Sequence, residues 1–347
     1  MANQMTAAVL YGKEDLRIEQ VPVPSAGPGE IVVSVAAALT CGTDLKVYRR
    51  GYHAKMLKPP IPFGHELAGV VVEADEGVKS FRVGDRVVAL NSAPCDNCYY
   101  CKHNQQNLCD DLLFNNGAYA EYIRIPARIV EKNTLHVPDG VPFEHAALTE
   151  PLACVVRGLE ETNAQAGDTV VVIGAGPIGL MFIHTAQLAG MHVIAVVKRD
   201  EQVEAAKTFG AEHVIQTTAV KDVVPAVRGL TPKNRGVDVA VEAVATPATW
   251  QQAVDMVRKG GVVNFFGGCA AGTKVELDTN RLHYNDITLK ATFHHTPATA
   301  RRAFELITSG RFNCREYITG RAPLASLDEV FRKLMDRSND IKTAIIP

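Results

Sequence analysis

Apolar residues follow two rhythms along this chain. Up to about residue 150 they come in short runs broken by Gly and Pro. Examples are 31–35, which follows the turn-rich segment 22–29, and then 67–72, 86–90 and 120–125. Such punctuation predicts short strands joined by tight turns, and so an irregular, mostly β region. Near Pro151 the pattern lengthens and alternates. Strand-like runs at 170–173, 193–197, 214–215, 237–241, 262–266 and 287–292 are separated by helical stretches at 178–188, 201–209 and 247–258. Gly210 closes the second of these helices. Strand alternating with helix predicts a parallel, doubly wound sheet. Two further helices, 297–309 and 327–335, follow in a tail that should return to the first region. The expected domains are therefore 1–153, 154–292 and the returning segment 293–347.

Composition narrows this picture. With 347 residues, 47% hydrophobic and 21% charged, the chain is long enough for two buried cores. A formal net charge of −2 argues against a nucleic-acid partner, which would need a basic surface. From Thr169 to Val197 no Asp, Glu, Lys or Arg occurs, a length that could cross a bilayer. Gly174, Gly176, Pro177 and Gly179 interrupt it, and a strand, a glycine turn and a helix account for it better. The first ten residues lack a basic segment followed by a long apolar one, so a cytoplasmic protein without a membrane partner is expected.

That charge-free stretch also carries G-x-G-x-x-G at Gly174, Gly176 and Gly179, with Pro177 and Ile178 between. It follows a strand and opens a helix, the context a dinucleotide pyrophosphate requires. The next strand ends Val197-Lys198-Arg199, where NAD enzymes usually place an acid for the ribose hydroxyls. Two cations there would attract a 2′-phosphate, so NADP is expected in preference to NAD.

Eight cysteines occur, and Cys95, Cys98, Cys101 and Cys109 fall within a lobe at 94–110. Four thiolates complete a tetrahedral Zn²⁺ and leave no corner for substrate, so this metal should be structural. An iron–sulfur cluster is the rival occupant. Cys154, Cys269 and Cys314 show no ligand spacing. Cys41, His65-Glu66 and Glu150 form a looser set that no single spacing rule identifies. Singly, each could be a packed thiol, a turn histidine or a surface charge.

Together, Cys41-Gly-Thr-Asp44, Gly64-His-Glu66, the four-cysteine lobe, Glu150-Pro151 and 174–179 resemble the zinc-containing medium-chain dehydrogenase family. The sorbitol and threonine dehydrogenase branch is the nearest in pattern, and the resemblance runs along nearly the whole chain. It implies an α/β protein with a GroES-like β-rich catalytic domain and a Rossmann domain. It implies a catalytic zinc on Cys41, His65 and either Glu66 or Glu150, hence two zinc ions per chain, and a homo-oligomer, tetramer or dimer. The implied reaction is hydride exchange between a nicotinamide dinucleotide and a secondary alcohol, polyol or sugar-derived ketone. A 3-hydroxy amino acid such as L-threonine is the alternative substrate.

A zinc ion with an open corner would make an alcohol oxygen far more acidic. Thr43 would accept the hydroxyl proton and pass it through the cofactor ribose to Lys46 or to water. The family often has His where Lys46 stands, a turn glycine where Asp75 stands, and, in polyol-specific members, Arg at His294. The last departure argues against a sorbitol-like substrate, while His294 and His295 remain candidates for the substrate side. A non-catalytic redox sensor would explain the glycine loop and the cysteine lobe, but not the looser set.

Overall fold

The computed structural model describes residues 3–53, 55–336 and 339–347, and the chain folds as two units: Met1–Ala153 with His295–Pro347, and Cys154–His294. In the first unit a seven-stranded sheet runs Thr134–His136, Arg86–Ala89, Leu67–Ala74, Ile31–Leu39, Lys342–Ile346 and Ile318–Pro323, with Tyr122–Ile125 also pairing with Ile31–Leu39. All of its pairings are antiparallel except the last, between Ile318–Pro323 and Lys342–Ile346. A three-stranded sheet, Asp15–Pro22, Gln4–Gly12 and Ile61–Pro62, and a two-stranded one, Ser92–Ala93 with Leu113–Phe114, join it in the same unit.

Helices are more numerous here than the turn-rich sequence suggests: Gly42–Arg50, Ala127–Asn133, Phe143–Ala147 and Thr149–Glu160 all begin before residue 150. The helix Leu327–Met335 delivers Phe331 to the core, edge-on to Tyr48, Phe63 and Tyr119 with ring centroids 5.6–6.1 Å apart. Such contacts add about 0.5–1.5 kcal/mol each beyond area burial. Asp75, in the turn where a glycine was expected, accepts the backbone N–H of Gly29 at 2.8 Å and of Gly77 at 3.1 Å, so its side chain closes the turn itself.

The second unit is a six-stranded parallel sheet in the order His213–Gln216, His192–Val197, Thr169–Ile173, Val237–Glu242, Val257–Phe265, Thr288–Ala291. Counting strands within this unit, that order is 3-2-1-4-5-6, the doubly wound dinucleotide-binding arrangement. The largest difference from expectation lies at one helix end, and the helices Val223–Gly229 and Thr279–Tyr284 were not expected. The helix Pro247–Met256 ends before Val257 and Arg258, because Val257 pairs with Val237 and opens the next strand. The charge-free stretch resolves into strand Thr169–Ile173, helix Pro177–Leu188 and strand His192–Val197. Among the described residues no helix is long and apolar enough to cross a membrane.

Each glycine of the turn has its own geometric reason. Gly174 adopts φ +98°, in the left-handed region that side chains disfavour. A Cβ on Gly179 would lie 1.8 Å from the Gly174 carbonyl oxygen, so helix and turn pack directly on each other there. A Cβ on Gly176 would meet nothing within 4 Å, leaving open space at the start of the helix. Gly179→Ala is therefore expected to lower stability by about 1–3 kcal/mol or more through overpacking. Gly176→Ala should leave the melting temperature nearly unchanged. Thermal melts of the two variants compare these outcomes directly.

Candidate active site and metal centres

Three strand ends of the first unit meet at one place. Ile31–Leu39 runs out toward Cys41, Leu67–Ala74 starts just after His65-Glu66, and Lys342–Ile346 begins with Lys342. The register pairs Leu67 with Ala38 and Ala344 with Leu39. Backbone bonds extend the pairing past the strand ends: Leu39 N–H to Glu66 O at 3.0 Å, and Thr40 N–H to Thr343 O at 3.1 Å. Cys41, His65 and Glu66 consequently offer ligand atoms that all lie within 4.8 Å of one another.

Each donor is held by a neighbour. Asp44 Oδ1 lies 2.9 Å from His65 Nδ1, which leaves Nε2 as the nitrogen available to a metal. Tyr119 donates its hydroxyl toward Asp44 Oδ2 at 2.7 Å, with the Leu39 carbonyl also 3.0 Å away. Burial first of all, then the Asp44 charge, keeps the Tyr119 phenol well above its ordinary range, so it remains a donor. Gly64, at φ +91°, lets this ring close over the loop; a Cβ there would sit 2.6 Å from the Tyr119 ring. Burial opposes a charge on His65, but the pull of Asp44 and Cys41 overrides it and holds the imidazole well above its usual range. Such surroundings favour a cation at this place, which is the electrostatic character a metal-ligating histidine needs.

Lys342 was not among the residues singled out from sequence. Its Nζ lies 2.8 and 2.6 Å from the two Glu66 oxygens and 2.9 Å from the Thr40 carbonyl, and both side chains are almost fully buried. Burial works against this ammonium, but Glu66 and Cys41 keep it charged, with its pKa above the usual lysine range. Glu150, in the first turn of Thr149–Glu160, is also buried rather than at the surface. Burial pushes its carboxyl up to about 7; His65 draws it down and Glu66 pushes it higher. His295 Nε2 lies 3.9 Å from Glu150 Oε1 and 3.1 Å from Asn91 Oδ1, so His295 sits against the carboxylate set.

The remaining candidates are distributed differently. Thr43 is half-buried, and its backbone N–H donates to Cys41 Sγ at 3.4 Å. Lys46 is exposed, three residues further along the same helix. His294 belongs to the second unit, has φ +67°, and gives its carbonyl to Arg157 at 3.3 Å. The adjacent histidines thus fall in different units. Lys198 is exposed, while Arg199 Nη1 lies 2.7 Å from Glu201. Gln202 links this strand end to the glycine turn: its Oε1 accepts from the Lys198 and Arg199 amides at 3.2 Å, and its Nε2 reaches the Ala175 carbonyl at 3.3 Å.

In the cysteine lobe all four sulfurs lie within 4.8 Å of one another, and none forms a disulfide. A tetrahedral ZnS₄ centre with Zn–S bonds of about 2.3 Å needs sulfurs roughly 3.8 Å apart, so the cluster fits that ion. Backbone amides already solvate the sulfurs. Cys95 Sγ accepts from Asn97 and Cys98 at 3.4 and 3.3 Å, and Cys109 Sγ from Cys95 at 3.2 Å. Such bonds, chiefly from the Cys101 amide, lower the Cys98 thiol to about 6, whereas burial raises Cys101 to about 12. A dication near all four would favour the thiolate throughout.

Known proteins share this arrangement. The alcohol dehydrogenase GroES-like domain matches residues 27–139, and the zinc-binding dehydrogenase family matches residues 177–309. A sorbitol dehydrogenase of Bacillus subtilis is 30% identical over 351 residues, covering 99% of this chain and 97% of that protein. An L-threonine 3-dehydrogenase of Pyrococcus abyssi is 35% identical over 317 residues, covering 89% and 88%. Among solved structures, a Sinorhizobium meliloti 1021 protein, described as a zinc-binding dehydrogenase and bound to NADP, superposes with TM-score 0.91 at 29% identity over 100% of both chains. The chain belongs to the zinc-type medium-chain alcohol and polyol dehydrogenase family. It is an oxidoreductase that uses zinc and a nicotinamide dinucleotide to act on a small-molecule alcohol or polyol. That membership sets aside the reading as a non-catalytic redox sensor.

Glu150 provides a test of the donor set. Burial holds the Glu150 carboxyl at about 7 in the fold against an ordinary 4.5, so it contributes stability fully below pH 4.5 and loses it as pH rises through 7. Zinc-stripped protein should therefore melt progressively lower between about pH 5 and pH 8. Glu150→Gln should flatten that trend, and added zinc should restore the melting temperature most at the upper end. Calorimetry of stripped and reloaded protein reads this; an unaltered slope in Glu150→Gln would remove Glu150 from the site.

Proposed function

We propose that this enzyme interconverts a secondary alcohol of polyol or sugar-derived type with its ketone, that it prefers NADP, and that it holds two zinc ions. The observation that carries the reading is the convergence of Cys41, His65 and Glu66 within 4.8 Å, beside the separate four-sulfur lobe. In this reading Cys95, Cys98, Cys101 and Cys109 hold the structural ion. Cys41 and His65 hold the catalytic one, with Glu150 or Glu66 as third ligand. The Lys342 ammonium on both Glu66 oxygens favours Glu150 as the resting ligand and Glu66 as the one that exchanges. A zinc ion there supplies Lewis acidity toward the substrate oxygen. Thr43, two residues from the ligating sulfur, would take the hydroxyl proton while passing its own on toward Lys46 or water. His295 and Asn91 hold the Glu150 side, and Asp44 with Tyr119 fixes the His65 ring.

A 3-hydroxy amino acid is the second reading, supported by the 35% identity to an L-threonine 3-dehydrogenase. For the cofactor, Gly174, Gly176, Pro177, Ile178 and Gly179 would receive the pyrophosphate, and Lys198 and Arg199 the 2′-phosphate. The Glu201 ion pair engages Arg199, which makes Lys198 the more available cation. We further expect a homo-oligomer, dimer or tetramer, and a cytoplasmic setting, where thiols stay reduced and open to metal binding.

A panel of secondary alcohols, polyols, sugar-derived ketones and 3-hydroxy amino acids, assayed with both cofactors, identifies the substrate class. Metal analysis should return two zinc ions per chain, falling to one in an inactive but folded Cys41→Ala variant. One zinc with full activity would refute the site. Replacing Lys198 and Arg199 together by Ala should cut kcat/KM for NADP by about ten- to hundredfold, the loss expected of charge-assisted phosphate bonds, and leave NAD nearly unaffected. A clear wild-type preference for NAD would overturn the cofactor assignment.

Lys46 gives a separate expectation. If it ends the proton path, Lys46→Ala lowers kcat and shifts its pH profile. Its exposed place on the helix Gly42–Arg50 instead favours proton release to water, and so an unchanged profile in steady-state assays.

A further inference from the structure

The second unit carries a cationic cavity that the reaction does not use. Its walls come from the segments leading into Val237–Glu242 and Thr288–Ala291 and from the first residues of Val257–Phe265, at the starts of these parallel strands. The glycine turn follows the end of Thr169–Ile173 in the same parallel sheet, so the cavity lies at the opposite ends of the strands. It encloses about 430 Å³, room for a small metabolite. Arg228, Lys233, Arg235, Arg258, Lys259 and Arg281 line it.

Two carboxylates answer these six cations. Asp238 lies 2.6 Å from Arg258 and 3.8 Å from Arg235, and Asp255 lies 3.0 Å from Arg281. Six positive charges less two negative ones leave an excess of four, in a chain whose overall formal charge is −2. Among the described residues Arg228, Lys233 and Lys259 form no ion pair.

The guanidinium groups are fixed in place by carbonyls. Arg228 donates to Val257 O at 3.1 Å, Asp255 O at 3.3 Å and Arg235 O at 2.9 Å. Arg281 donates to Asp255 O at 2.8 Å, and Arg258 to Lys259 O at 2.7 Å. The backbone makes room for this. Gly236 has φ +97°, and a Cβ there would lie 2.8 Å from Arg228 Nη1. A solvated charged face ordinarily mixes signs and leaves its long side chains free. Here like charges are gathered and held, an arrangement that costs free energy unless an anion offsets it.

We propose that this cavity binds a small anion carrying two or more phosphoryl groups, at a site separate from the dinucleotide. Pre-positioned guanidinium groups suit phosphoryl oxygens, which accept paired N–H donors, and an excess of four charges matches a bisphosphate or pyrophosphate better than one phosphate.

The test is calorimetric titration of zinc-loaded, full-length enzyme with pyrophosphate, with NADP saturating the dinucleotide site and zinc content checked afterwards. The expected result is saturable binding of one equivalent, at least about tenfold tighter than inorganic phosphate and weaker at higher salt. Lys233→Ala with Lys259→Ala should weaken it about tenfold or more while kcat/KM stays unchanged. Absence of saturable binding, or equal affinity in the double variant, would overturn the proposal. So would a double variant that changes only the oligomeric state, since the cavity would then face an acidic surface of a second copy.

Discussion

One buried ion pair organises the catalytic end of the first unit. Lys342 comes from the last strand of the chain and Glu66 from a turn almost three hundred residues earlier, and the pair closes at 2.6 Å out of contact with water. Two charges are stable there only because each neutralises the other and the ammonium also finds the Thr40 carbonyl. Breaking such a pair leaves a buried charge with no partner, at a cost of about 3–5 kcal/mol. The pair therefore couples folding to the site: the returning strand must dock for Glu66 to remain beside Cys41 and His65.

The donors around that pair form a graded set of carboxylates. Asp44 is committed to His65 and Tyr119, Glu66 to Lys342, and Glu150 has its carboxyl raised to about 7 by burial. Three acids and one thiol lie near a single imidazole, a concentration of potential negative charge that a buried site tolerates only with cations present. One ammonium does not balance it. The same electrostatics that would destabilise an empty site make it receptive to a dication, and metal binding and folding reinforce each other. Four sulfurs in the cysteine lobe follow this logic more simply, with backbone amides in the supporting role.

The second unit solves a different problem, bringing backbone close to a charged ligand. Gly176 leaves open space at a helix start, while Gly174 and Gly179 allow turn and helix to touch. Gln202 ties this turn to the end of the neighbouring strand, so the surfaces suited to pyrophosphate and ribose are braced against each other. At the starting ends of the strands in the same sheet, arginines fixed by carbonyl groups make a rigid cationic surface.

Local signals in the sequence were enough for the parts built from contiguous residues. Period and punctuation marked the strands of the second unit and three of its helices, though not Val223–Gly229 or Thr279–Tyr284, and the glycine spacing marked its turn, because those features are set by neighbours in the chain. The cysteine lobe was legible for the same reason. The helix at 247–258 was drawn too long because the register with Val237, a long-range pairing, claims Val257 for the next strand. Helices within the first 150 residues were missed because Gly and Pro punctuation masked them. Lys342, Tyr119 and Asn91 carried no motif at all. Their relation to Glu66, Asp44 and His295 exists only once distant segments pack together. Burial likewise separated Glu150 from Lys46, two charged residues that look alike as letters: packing closes over one carboxylate and raises its pKa, and leaves the lysine in water.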